Sequence, residues 1–466
     1  MLNYDELIIG GGISGMAASL LSAKRGKKTA LLEAGATLSP TLSGFTRAAA
    51  HFETGFHYAF GLGEGEIGQY FFDLLGLDIK SYPLLQNGYD EIHLPSGRIV
   101  KLAYPRQNLE HSLGEVFPEE KENLKKYLDK LEDCFLNSAY LNLHRDKTLD
   151  LNAPVDTPKS LQEVLDECFK SDEIKAVLAA SSFLHGTPPN KISFGMHACI
   201  AGGLFHGAYG VLGGGKAIVN AFEKALKKAG VDVFLNTKAT SIEEDGDKKI
   251  IRTNKDSFAC DICISSIHPK EFLKIAPQNA YREGYKTRVN ALEETPGFFT
   301  LYAKYKGPRV EASNIYLLSK TNVVDCFNTN SNNPSYYINF SPDKEQNVSI
   351  ISFTSPEPAV WNKNSPDYQE RKNNYSLRIK NDINKLAPDI AKYLEYIEVS
   401  TPATSRRYVG YSGGYGLMHD MYKTKVLPMT KIKGLYLCGQ SVLVPGLLGS
   451  IITSLMVDKM AEAANV

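Results

Sequence analysis

The chain has 466 residues, enough for two or three domains with well-buried cores. Lysine plus arginine and aspartate plus glutamate number 52 each, so no net positive charge favours a nucleic-acid partner or an anionic membrane surface. Seven cysteines, an odd number in a chain with no basic and apolar leader ahead of Leu7, read as free thiols in a reducing, cytoplasmic compartment.

The first predicted element is an apolar strand, Tyr4-Asp5-Glu6-Leu7-Ile8-Ile9, which runs into Gly10-Gly11-Gly12-Ile13-Ser14-Gly15. A helical pattern follows (Met16, Ala17, Ala18, Leu20, Leu21, Ala23), then a second apolar run ending in Leu31-Leu32-Glu33. Strand, Gly10-x-Gly12-x-x-Gly15, helix, strand and acid in this order form a dinucleotide-binding βαβ unit. Gly10 permits the tight turn, Gly12 leaves room for a pyrophosphate, and Gly15 lets the helix approach the strand. The helix N-terminus offers free N–H groups to phosphate, and the Glu33 carboxylate can accept from ribose hydroxyls. That carboxylate argues against a 2′-phosphate, and therefore against NADP, at this site.

The glycine-, serine- and threonine-rich stretch from Ala34 to Gly65 is too long for a mere connector, and its place after the βαβ unit predicts a loop that wraps the cofactor. It carries Ala34, Gly44, Thr46 and Gly55 as candidate cofactor contacts, and His57 and Tyr58 as candidate proton-transfer residues. Alternating runs at Glu91–Leu94 and Arg98–Leu102 around Pro95-Ser96-Gly97 predict a hairpin. Helical spacing is read at Pro118 to Phe135, after Ser160 and after Asp172. Residues 183–215 return to small and aromatic types, with His185, His197 and His206 at spacings of 12 and 9 that carry no metal signature; no metal site is expected.

An amphipathic helix is predicted from Lys216 to Ala229, then strands at Gly230–Leu235, Lys238–Ile242, Ile250–Thr253 and up to Ser266. Cys260 and Cys263 form a CxxC inside the last of these, where positions three apart are expected on opposite faces, so core packing is favoured over metal or redox use. Aromatic-rich antiparallel runs follow at 298–305, 314–318, 336–340 and 348–353, then a long helix from about Asp367 to Leu386 stopped by Pro388. Arg406-Arg407 reads as a solvated surface pair. The chain closes with a strand at 434–438 ending in Gly439-Gln440, then Pro445-Gly446-Leu447-Leu448-Gly449 opening a helix whose N-terminus would lie near the first. The near-apolar run Val442–Val457 is broken by Pro445, Gly446 and Gly449 and makes no convincing membrane span.

The N-terminal unit, the phrase Glu53-Thr54-Gly55-Phe56-His57-Tyr58, the segment Leu212-Gly213-Gly214-Gly215-Lys216-Ala217 and the terminal Cys438-Gly439-Gln440 to Gly449 motif resemble FAD-dependent oxidoreductases of the phytoene desaturase, carotenoid isomerase and retinol saturase superfamily. The retinol saturase and carotenoid isomerase branch matches these phrases best. The resemblance covers about half the chain and implies an α/β fold. It implies a Rossmann-like FAD-binding domain assembled from residues 1–82, 205–270 and 426–466. An α+β substrate domain on a mainly antiparallel sheet would take 83–204 and 271–425, with a helical insertion near 109–182, as in glutathione reductase and amine oxidases.

By the same resemblance, Gly10, Gly12, Ile13, Ser14 and Gly15 hold the FAD pyrophosphate, and Glu33 holds the adenosine ribose. Ala239 touches adenine through its backbone, while Gly439, Gln440, Gly446 and Leu447 lie near the ring or ribityl chain. Ser441 departs from the pattern, since relatives commonly carry an acid there. The implied activity is saturation, desaturation or redox-assisted isomerisation of carbon–carbon double bonds in a polyene or other small lipophilic substrate. Peripheral membrane contact is compatible with it, and no electron partner or oligomeric state is assigned. An amine oxidase-type flavoenzyme and a flavin-free lipid-binding escort on the same fold are the alternatives.

Overall fold

The computed structural model describes residues 1–138, 140–146, 157–342 and 346–464. The strand Leu2–Ile9 lies at the centre of a seven-stranded sheet, parallel to Thr29–Leu32 on one side and to Ser257–Ser265 on the other. Asp232–Phe234 extends the sheet beyond Thr29–Leu32. Lys248–Thr253 and Ala239–Asp245 add an antiparallel flank on Ser257–Ser265, and Leu435–Leu437 runs parallel to that strand's last residues, Cys263 to Ser265. Residues from the first, middle and last parts of the chain therefore meet in one sheet.

Helices Ile13–Lys24, Gly214–Lys228 and Gly446–Ala464 cover one face of this sheet, burying Ile8, Ile262 and Ile264 against Met16, Phe222 and Ile451. A charged contact ties the first strand to the last helix. Arg25, which follows the first helix, gives Nη1 and Nη2 to the two oxygens of Glu6, each at 2.9 Å, and Nε to Asp458 at 2.8 Å. Burial alone would lower the Arg25 pKa, but the bonds and charges of Glu6 and then Asp458 raise it.

The other face holds a correction to the sequence reading. Cys260 and Cys263 do not point to opposite faces: both thiols lie in the cluster that contains Tyr4, Leu7 and Phe258, while Ile262 and Ile264 face the helices. The alternation reverses because the first strand is irregular at Asp5 and Glu6, whose N–H groups both reach the Lys28 carbonyl, at 3.0 and 3.3 Å. The paired strand turns over in step, with Tyr4 opposite Cys260 and Glu6 opposite Ile262. Hydrogen bonding to Cys263 and burial push the Cys260 thiol well above the usual range, so Cys260 behaves as a protonated core residue, and Cys263 is buried beside it.

A second seven-stranded sheet runs in the order Leu394–Ser400, Gly297–Tyr305, Asn347–Thr354, Tyr336–Phe340, Asn314–Leu317, Asp90–His93, Ile99–Leu102. All neighbours are antiparallel except Asn314–Leu317 with Asp90–His93. Ile315, Leu317, Tyr336 and Ile338 face Trp361 and the helix Tyr368–Leu386. Asn314, Tyr316, Tyr337 and Asn339 take the opposite face by alternation, toward the helices Arg106–Val116, Lys121–Leu136 and Phe194–His206. Residues 147–156 of the expected helical insertion lie outside the described residues.

Two of those helices were not legible as such. Phe194–His206 carries Gly202 and Gly203, which lower helix propensity. A Cβ on Gly203 would stand 2.3 Å from the Phe60 ring, and one on Gly202 2.8 Å from Phe135, so close packing explains the two glycines. Arg406 is also corrected: it is half-buried, giving Nη1 to Ser412 and Nη2 to the Trp361 carbonyl at 2.9 Å each, while Arg407 is exposed.

Candidate functional site

The glycine turn has the shape a dinucleotide needs. Gly10 sits at φ +105°, and a Cβ on Gly15 would fall 1.8 Å from the Gly10 carbonyl, so helix and strand touch there. A Cβ on Gly12 would meet nothing within 4 Å, which leaves open space at the helix entrance. The helix Ile13–Lys24 has no side-chain cap and no acid in its first turn, so its first N–H groups and partial positive charge are uncompensated. Ile13 and Ser14 are buried in that first turn.

Glu33 ends the second strand, where its Oε2 accepts from Gly11 N at 2.7 Å and its Oε1 from Gly35 N at 2.5 Å. It thus fixes the glycine turn as well as standing where a ribose would come. Ala34 beside it is exposed. Ala239, buried at the start of its strand, sits next to a register shift in the pairing with Thr253 and Arg252.

The terminal motif reaches the same place. A Cβ on Gly439, φ +121°, would lie 3.9 Å from Ser14 Oγ, and Ser454 Oγ donates to the Ser14 carbonyl at 2.9 Å. Gly446, φ +84°, opens the last helix with nothing within 4 Å of its Cβ position, and no acid stands in that helix's first turn. Leu447 is half-buried beside it. Gln440 gives Nε2 to the Tyr411 hydroxyl at 2.9 Å, and its carbonyl takes His419 Nε2 at 2.8 Å. Ser441, in place of an acid, accepts from Leu417 N at 3.1 Å and so pins the neighbouring loop. Two helix starts with no acid in their first turn and open space at Gly12 and Gly446, one from each end of the chain, fit an FAD pyrophosphate and flavin; the bound group would supply hydride acceptance or donation.

The loop after Glu33 is more ordered than a wrap. It contains the helix Pro40–Ser43 and a hairpin of Phe45–Arg47 with Ala50–Phe52. Thr46 is exposed on that hairpin, opposite His51, and Gly44 and Gly55 are packed against Phe52 O and Thr41 O respectively. Glu53 joins two motifs that are distant in sequence: its Oε2 accepts from Gly215 N at 3.2 Å, and a Cβ on Gly214 would strike its Oε1 at 2.0 Å. The carboxylate therefore caps the helix Gly214–Lys228, and the triple glycine is what allows it so close.

His57 and Tyr58 then lead onto the antiparallel sheet. The His57 ring lies 5.5 Å from that of Tyr337, and burial lowers its pKa to about 4, with Asn339 pulling the other way. Its Nδ1 has no hydrogen-bond partner among the described residues. The Tyr58 hydroxyl stands 2.7 Å from Asp90 Oδ2 and 3.2 Å from the Tyr316 hydroxyl. Rings crowd this wall: Phe183 stacks on Phe353 at 4.8 Å, Phe298 on Phe353 at 6.0 Å, and Tyr415 meets Phe298 edge-on at 5.4 Å. Tyr58 packs into the same cluster as Leu443 and Val444 of the terminal motif, so the wall adjoins the cofactor cradle. Asp90 and Asn314 carried no sequence signal, because isolated residues on different strands become neighbours only through pairing; Phe183, Phe298 and Phe353 lay in the aromatic stretches read from the sequence, and only the fold stacks them together.

Two of the three histidines meet and the third stands apart. His185 Nε2 and His197 Nδ1 lie 3.3 Å apart in the core, and His206 is a half-exposed partner of Glu132 at 3.5 Å. No cluster among the described residues could hold a metal ion. Burial lowers the pKa of His197 to about 3, and that of His268, also near Lys270 and Lys274, to about 3. A histidine whose folded pKa lies below its unfolded value near 6.5 takes up its proton on unfolding, so stability falls as pH drops below about 6.5. We expect the melting temperature to decrease steadily from pH 7 to pH 5. His197→Gln should flatten that slope, removing about 2 kcal/mol of it; an unchanged slope would show that His197 is protonated in the folded state.

The family described as FAD dependent oxidoreductase matches residues 5–266, more than half the chain. The chain is 22% identical to the all-trans-retinol 13,14-reductase of Rattus norvegicus, covering 96% of this chain and 84% of that protein. It is 23% identical to the chloroplastic prolycopene isomerase of Daucus carota, covering 94% and 76%. The structure of a putrescine oxidase double mutant superposes with a TM-score of 0.68 at 16% identity, covering 100% of this chain and 99% of that one, and so shares the fold. Family, fold and the glycine cradle agree: the chain belongs to the FAD dependent oxidoreductase family and is an FAD-dependent oxidoreductase related distantly to the retinol saturase and carotenoid isomerase branches.

Proposed function

We propose that the protein acts on carbon–carbon double bonds of a small lipophilic, polyene-type substrate, by saturation, desaturation or redox-assisted isomerisation. The observation that carries this reading is the wall of Phe183, Phe298, Phe353, Tyr415 and Tyr58 beside the terminal motif. Flat aromatic side chains suit a planar conjugated chain, and stacked or edge-on ring pairs add about 0.5–1.5 kcal/mol each beyond burial. The rat and carrot relatives, named for a retinol and for prolycopene, support the same class. His57 and Tyr58 are the proposed proton-transfer residues, Tyr58 foremost because its hydroxyl is held by Asp90. A cytoplasmic location, with the substrate taken from a membrane surface, belongs to the proposal; no helix of the described residues is long and apolar enough to cross a membrane.

The decisive experiment extracts and identifies the lipid that copurifies with the flavin. The anaerobically reduced protein is then mixed with retinoids, carotenoids and unsaturated fatty acids while flavin reoxidation is followed. Reoxidation by a polyene, slowed about 100-fold or more in Tyr58→Phe with FAD content unchanged, is the expected result. Reduction of the flavin by primary amines, with every alkene inert, would sink the proposal. Covalent flavin attachment at Cys438 is not expected, because burial pushes that thiol up to about 12 and packs it in the core; acid denaturation should release all the flavin.

A further inference from the structure

Asp90 is a fully buried carboxylic acid with no cation beside it among the described residues. It sits on the strand Asp90–His93, opposite Asn314, and is 2% exposed. The groups that face it are Tyr58 and, beyond Tyr337, His57 from the loop, Tyr89 from its own segment, Tyr316 and Asn314 from one neighbouring strand, and Tyr337 and Asn339 from the next. The tyrosine pKa values are all raised and that of His57 is lowered, so the titratable groups around Asp90 are neutral at pH 7.

The hydrogen bonds give this cluster a direction. Asn314 Oδ1 accepts from the Tyr337 hydroxyl at 2.6 Å and from Asn339 Nδ2 at 2.9 Å, so its Nδ2 must face the other way. That Nδ2 donates to the Tyr89 carbonyl at 3.3 Å and to Asp90 Oδ1 at 2.8 Å. Oδ1 is thereby committed as an acceptor, and a proton on Asp90 belongs on Oδ2, facing the Tyr58 oxygen 2.7 Å away. Burial pushes the Asp90 pKa up to about 7, against the opposing hydrogen bonds of Tyr58, Asn314 and Tyr316.

We propose that Asp90, oriented by Asn314, is the proton store of the site and recharges Tyr58 during reduction of the double bond. This rests on the double-bond reading above. In the reducing direction the carbon–carbon π bond would break, and one carbon would take the hydride that bound, reduced FAD would supply. The other carbon takes the Tyr58 hydroxyl proton. The Tyr58 oxygen takes the proton from Asp90 Oδ2, and the carboxylate regains one from solvent. Desaturation runs the same transfers in reverse. Asp90 is a positioning and supplying residue, since it meets the substrate only through Tyr58.

Infrared difference spectra of the full-length flavoprotein, recorded from about pH 5 to pH 9, test this without turnover. A carboxylic-acid carbonyl band should fade near neutrality in the wild type, be missing in Asp90→Asn, and shift in Tyr58→Phe. In turnover, the rate of alkene reduction should fall above about pH 7 in the wild type. Asp90→Asn should be about 10- to 100-fold slower and lose that limb, with flavin content unchanged. A band that titrates in the ordinary carboxylate range, or an Asp90→Asn protein with the wild-type pH profile, overturns the inference while leaving the double-bond reading intact. A neutral-range band with no alkene reacting overturns that reading and the donor role with it. Should Asp90→Asn fail to fold, the Tyr58→Phe band shift decides.

Discussion

Gly12→Asp is expected to give a folded protein that purifies without flavin. A Cβ at this position meets nothing within 4 Å, and Gly12 has φ −73°, an ordinary value for any residue, so the substitution costs the fold little. The carboxylate would project into the open space at an uncapped helix start, where the FAD pyrophosphate is expected. Two like charges in contact there replace a favourable helix-end interaction by repulsion. A loss of about 3 kcal/mol or more, a weakening of at least about 100-fold, follows. The ratio of flavin to protein absorbance and a fluorescence titration of the apoprotein measure it; unchanged, stoichiometric flavin would place the pyrophosphate elsewhere. Gly12→Ala makes the control, since a methyl group brings bulk without charge.

Arg25→Met should be the most destabilising change remote from the cofactor. Glu6 is 1% exposed and both its oxygens depend on the Arg25 guanidinium, which also holds Asp458. Removing the cation leaves one carboxylate buried in the central strand and a second, half-buried one beside it. Breaking a buried pair from one side typically costs about 3–5 kcal/mol, a large part of the about 5–15 kcal/mol that holds an ordinary domain. The denaturation midpoint should fall sharply. Replacing all three residues together, Glu6→Leu, Arg25→Met and Asp458→Leu, should recover much of the loss, because the penalty comes from stranded charge. A midpoint unchanged in Arg25→Met would mean that water reaches Glu6.

The βαβ unit was readable from the sequence because its determinants are local. Gly10, Gly12 and Gly15 act through backbone conformation and through atoms within a few residues, and the neighbouring hydrophobic periods name the strand and helix around them. The same holds for the Pro95-Ser96-Gly97 hairpin and for the existence of the aromatic strands, although Asn314–Leu317 and Tyr336–Phe340 are buried on both faces, which the sequence did not show. Local rules failed where a partner distant in the chain decided the outcome. The reversal of facing at Cys260 and Cys263 comes from the irregularity at Asp5 and Glu6 in the paired strand, which no pattern within 257–265 contains. The helix Phe194–His206 is hidden by glycines chosen for Phe60 and Phe135.

The sequence by itself determined the dinucleotide cradle, the acid at its second strand, and the terminal glycine motif that favours FAD. Tertiary structure alone decided which residues face the chemistry. Tyr58, Asp90 and Asn314 lie 32 and 224 positions apart in succession, and they form one hydrogen-bonded unit only because Asp90–His93 pairs with Asn314–Leu317. Likewise the Glu53 phrase and the triple glycine at 213–215, two separate signals in the sequence, proved to be a carboxylate and the helix end that it caps. Helix and turn signals are written by neighbours along the chain, whereas a buried acid acquires its proton and its partners from whatever the fold packs around it.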